Sequence, residues 1–216
     1  MLTKPGLEGV VSAVKERRET FQRILTYSLN SITKKIVQVL FLAVGLIITG
    51  HAILTPMLMV IIMITGDFLG MSLTTDNVRP SPTPSAWRVG NLTLAGVFMG
   101  IAELLFCTAV LAIGKFRLSL GIEALQTLAF VLIVFGNQAT TYTNRTRTRL
   151  WSTRPSFWLI LSSVIDLLIA STLANRGIAM APLPLVVVGG TFAAAVVFAF
   201  LVDIAKVPVF NRLGIV

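Results

Sequence analysis

The chain has 216 residues, of which 55% are hydrophobic and only 12% charged, and its mean hydropathy is +0.87. Soluble domains carry about 25% charged residues, so this composition excludes a water-soluble enzyme and puts the chain in the membrane class. Eighteen Lys and Arg against nine Asp and Glu leave a net charge of +9, which in a membrane protein reads as loop topology, with no nucleic acid expected as a partner.

From the N-terminus, residues 8 to 29 set Val10, Val14, Phe21 and Leu25 on one helical face and Lys15, Glu16, Arg17, Arg18 and Glu19 on the others. That is the pattern of a water-exposed helix. No apolar run of signal-peptide type occurs in the first 30 residues, so the first true span must direct insertion. Unbroken apolarity begins only after Lys34 and Lys35, with IVQVLFLAVGLIIT. This run is short of the roughly 20 residues a span needs, so the membrane segment starts near Ser28 and takes both lysines with it. Further spans are expected at about 52–73, 92–114, 121–142, 157–174 and 183–204. The expected fold is therefore all-α and polytopic: a cytoplasmic stalk helix over 1–27, then a six-helix transmembrane domain over 28–216 embedded in a lipid bilayer. Cys107 is the one cysteine, so no intramolecular disulfide can form.

With a cytoplasmic N-terminus, fifteen of the eighteen basic residues fall in inner segments, and only Lys115, Arg117 and Arg176 lie outside. This asymmetry predicts that both termini are cytoplasmic. Trp87, Trp151 and Trp158 fall near the expected inner boundaries, as interfacial anchors do.

A carboxylate at mid-bilayer is expensive, so an acid within a span must be neutralised, paired or solvated. Asp67 lies in MITGDFLGMS, where Gly66 and Gly70 loosen the helix and Pro56 removes a backbone donor upstream. This pattern predicts a discontinuous helix at an ion site. Glu103 and Asp166 sit in spans without a helix breaker, where structural pairing and a supporting role both remain open, while Asp203 is expected at the inner interface. Lys34 and Lys35 either snorkel to the headgroups or turn one ammonium inward to face Asp67. Asn137 and Gln138 are either interhelical hydrogen-bonding groups or ligands, and His51 falls in a short turn. No HExxH, CxxC pair, phosphate loop or Ser-His-Asp set is present.

MLTKPGLEGVVSAVKERRETFQRILTYSLNSITKKIV resembles the segment of P-type ATPases that leaves the phosphorylation domain and becomes the fifth membrane helix. GDFLGMSLTTDNVRPSPTPSAW resembles the sixth helix and following loop, closest to the plasma-membrane proton-pump branch, and NRTRTRLWSTRPSFW the loop after the eighth. The resemblance covers essentially the whole chain and implies that its six spans are helices five to ten. It implies that Asp67 takes part in cation transport, that Lys35 faces it as in plant-like proton pumps, and that Gly66, Asn137, Gln138, Asp166 and Glu103 are supporting groups. It favours protons over calcium, which wants six to eight oxygen ligands. It also implies a plasma-membrane location. The DKTGT phosphorylation motif and the GDGxND hinge do not occur in these residues, so no cofactor is expected within this chain. Mg-ATP would act through the actuator, phosphorylation and nucleotide domains, expected as partners together with helices one to four. A stand-alone secondary transporter or channel, or a non-transporting membrane fragment, is the alternative.

Overall fold

The computed structural model describes residues 7–78, 80 and 89–214, with side chains from Gly9 onward. Arg79, Arg88, Trp87 and most of the Pro-rich loop lie outside the described residues. Among the described residues six α-helices follow in order: α1 (Leu7–Thr49), α2 (Pro56–Ser72), α3 (Val89–Phe116), α4 (Ile122–Asn144), α5 (Phe157–Arg176) and α6 (Leu185–Arg212). All six are long and apolar enough to cross a membrane, and no strand occurs among the described residues. The chain is an all-helical integral membrane protein.

At 43 residues, α1 is unbroken. A rise of 1.5 Å per residue makes it about 65 Å long, twice the hydrocarbon thickness, so stalk and first span form one rod. The second span departs from expectation. Thr55 caps α2 by accepting from the Leu58 N–H at 3.3 Å, and Pro56 occupies the first turn. There its missing N–H is not required and its fixed φ favours the helix. Pro56 therefore starts this helix instead of interrupting it, and α2 continues without a break through Gly66 and Asp67. A 3-10 turn over Leu73–Thr75 then ends it.

α4 is the central helix. Its apolar residues run around the whole circumference, and eighteen of its residues are buried against its neighbours, as a helix that is hydrophobic all round must be. α1 packs most closely on α3. The approach depends on Gly96 and Gly100, where an added Cβ would lie 2.6 Å from Ile32 Cγ2 and 2.9 Å from Ile36 Cγ2. Such small-xxx-small spacing lets backbones meet where no hydrophobic drive separates helix from lipid. Large apolar side chains such as Ile47, Phe68 and Val186 point outward, while Asn30, Glu103, Asn137, Gln138, Thr140 and Asp166 are buried inside. This inverted distribution is what a hydrocarbon solvent selects.

Candidate ion-translocation site

The polar interior is organised around α1. Lys34 reaches across to α2 and donates a hydrogen bond from Nζ to the Gly66 carbonyl oxygen at 3.1 Å. Successive helical residues are about 100° apart, so Lys35 turns away and is exposed. Both lysines, with Asn30, Gly66, Asp67 and Asn137, line one cleft of about 430 Å³ between α1 and α2. Asp67 is exposed on the open side of that cleft, and no direct ion pair joins it to Lys35 among the described residues. The amine that enters the bundle is that of Lys34.

Three acids from three helices, Glu103 of α3, Asp166 of α5 and Asp67 of α2, are within the electrostatic reach of this ammonium. Glu103 is fully buried, with Oε2 2.9 Å from the Thr140 hydroxyl and Oε1 lacking a partner. It fits only because Gly136 lacks a side chain, since a Cβ there would lie 2.9 Å from Oε1. The Gln138 amide donates to Asp166 Oδ2 at 2.6 Å, and the Thr65 hydroxyl is the other polar neighbour of this carboxyl. Asn137 also lines the cleft. The glycine, the two amides and the two acids expected as supporting groups thus converge from α2, α3, α4 and α5.

Two other charged clusters stabilise the end of the bundle that bears the stalk. Asp76, which the sequence reading did not single out, accepts from Arg145 Nε at 2.8 Å and Nη2 at 3.3 Å, and from the Ser156 N–H at 2.9 Å. Its main-chain oxygen accepts from Arg23 Nε at 3.0 Å. One aspartate thereby ties the stalk, the segment after α2 and the α4–α5 turn together. The available signal was an arginine immediately after a polar helix end and an acid immediately after a span. Asp203, expected at the interface, is instead 1% exposed and pairs with Lys206 at 2.7 Å. Lys206 also donates to the Thr143 carbonyl at 2.5 Å, which satisfies an orphan acceptor near the end of α4. In the turn beyond α4, burial pulls the Arg147 guanidinium down to about 10, and its Nη1 has no partner.

No family model matches the chain. It is 28% identical over 187 residues to a putative cation-transporting ATPase of Methanocaldococcus jannaschii. The aligned part covers 85% of this chain and 23% of that protein. The chain is similar to part of a cation-transporting ATPase. Six apolar helices and this similarity together fit a membrane part concerned with cation transport. The chain spans about a quarter of the relative's length.

Proposed function

We propose that the chain is the cation-translocating membrane part of a P-type ATPase, that the transported cation is a proton, and that Asp67 is its carrier. The observation that carries this reading is the Lys34 ammonium seated on the Gly66 carbonyl, one residue before Asp67. Calcium collects six to eight oxygen ligands, and a carbonyl that accepts from an ammonium is not free to be one of them. A tethered ammonium takes the place of such an ion and repels it. A proton needs no shell of oxygen ligands: it bonds to a single carboxylate oxygen, and a nearby ammonium lowers that affinity without removing the site.

In this reading Asp67 loads a proton from water in the cleft. Rotation or tilt of α1 alters the position of Lys34 and Lys35, and an ammonium brought close to Asp67 favours the carboxylate and expels the proton. The continuous rod of α1 supports the mechanical part, because any displacement of the stalk is carried undivided to Lys34. Mg-ATP acts through domains outside these 216 residues. The basic residues assign both termini to the cytoplasm, and the membrane to the plasma membrane by resemblance. The test is ATP-driven transport in membrane vesicles containing this chain in its complete pump. Vanadate-sensitive acidification of the lumen without added calcium supports the reading, and calcium uptake without proton movement overturns it.

A further inference from the structure

We propose that Glu103 is a second proton-binding site of the bundle, separate from Asp67, and that it is occupied in the conformation described here. The proposal deepens the transport reading above and rests on it for the purpose of the proton, but the protonation of Glu103 stands on its own geometry.

Thr140 has one hydroxyl proton and three acceptors close by: Glu103 Oε2 at 2.9 Å, the Gly136 carbonyl at 3.0 Å and the Asn137 carbonyl at 3.3 Å. A protonated Glu103 resolves the competition. Its Oε2–H donates to Thr140 Oγ1, and the Thr140 proton goes to the Gly136 carbonyl, the ordinary helical back-bond of threonine. An ionised Glu103 has to draw the Thr140 proton away from the backbone, and it still leaves Oε1 with no partner at a fully buried position. A buried charge whose one hydrogen-bond partner is a neutral hydroxyl, with the Lys34 ammonium in electrostatic reach but in no ion pair with it among the described residues, is incompletely compensated.

Charge balance leads to the same assignment. The groups facing this region are Lys34 and Lys35 of α1, Asp67 of α2, Glu103 of α3 and Asp166 of α5. α4 contributes only uncharged side chains, and Cys107 is the neighbour on Glu103's own helix. The Gln138 amide donates to Asp166 Oδ2, and a donated hydrogen bond favours the charged form of a carboxyl, so the anionic role goes to Asp166. Lys34 then balances Asp166, Lys35 and Asp67 are both exposed, and a neutral Glu103 leaves no uncompensated charge among the buried acids.

The test is infrared spectroscopy of the full chain in lipid nanodiscs at neutral pH, read at the carboxylic C=O stretch. Glutamate carrying ¹³C in its carboxyl group should shift this band, since the other glutamates with described side chains, Glu16, Glu19 and Glu123, are not buried. Glu103→Gln should remove the band. Asp67→Asn should leave it in place, and Thr140→Val should move it, because the hydroxyl partner is lost. No isotope-sensitive carboxylic band in the unaltered chain, or one that survives Glu103→Gln, overturns the proposal. The isotope experiment needs no substitution, so a variant that fails to fold does not remove the test. Loss of this proposal leaves Asp67 untouched, and near-normal transport by Asp67→Asn overturns the carrier assignment without affecting the Glu103 band.

Discussion

Lys34 Nζ lies 3.1 Å from the carbonyl oxygen of Gly66, so the inward cation of α1 is fastened to the residue that precedes Asp67. Its neighbour Lys35 shares the cleft but faces outward. The two lysines should therefore differ sharply in function. Lys34→Met should lower ATP-driven transport about tenfold, equivalent to about 1.4 kcal/mol, because it leaves Asp166 without its compensating charge. Lys35→Gln should stay within about twofold. Initial rates of vesicle acidification measure both, and equal effects would remove the distinction.

Asp76 and Arg145 form an ion pair with side chains 2% and 1% exposed. Removing one partner of such a pair strands a buried charge, at about 3–5 kcal/mol. Asp76→Ala should therefore lower the thermal midpoint of the purified chain in detergent by roughly 6–20 °C, taking about 2–4 °C per kcal/mol for a chain of this size. Adding Arg145→Met should recover part of that loss. Additive losses in the double variant would mean that the two side chains act independently.

Arg147 gives a pH-dependent prediction. Burial lowers its guanidinium from its ordinary value to about 10, so the folded state binds this proton less well than the unfolded state does. The destabilisation is complete below about pH 10 and is relieved as pH rises above it. Arg147→Gln should thus raise stability at pH 7–8 by about 1–2 kcal/mol, a value reduced from the full shift for screening at a partly exposed residue. The advantage over the unaltered chain should shrink above about pH 10. Thermal melts at pH 7.5 and pH 10.5 measure the difference, and an advantage that grows with pH would contradict the assignment.

The topology prediction uses exposed positions at opposite ends of the bundle. In a Cys107→Ala background, Thr148→Cys should resist an impermeant thiol reagent added outside intact cells, while Leu118→Cys should react. The reverse pattern inverts the bundle.

Most of the fold was legible because hydrocarbon imposes a length and a composition on every span. Ile122–Asn144 could be found as a helix, but its central position needed the structure, since continuous apolarity does not say which neighbours surround it. Pro56 was misleading: a proline marks either a break or a start, and only the capping bond from Leu58 N–H to Thr55 separates the two. At the site, the residue types were legible and the partners were not. Lys34 and Lys35 are adjacent in sequence, and only the rotation of α1 relative to α2 selects which one turns inward. The convergence of Glu103 with Thr140 and Gly136 comes from helix register between α3 and α4. The Asp76–Arg145 pair joins residues 69 apart in the chain, so no local pattern announced it.

Asp67→Asn is the most direct test of the central claim, because the amide keeps the size of the carboxyl and cannot take up and release a proton in the working pH range. The measurement is the initial rate of ATP-driven acidification in vesicles holding the complete pump, at matched protein level and with phosphoenzyme formation checked in parallel. Phosphoenzyme should still form while acidification falls to background. Acidification by Asp67→Asn at near the unaltered rate would contradict it and pass the carrier role to another acid of the cluster.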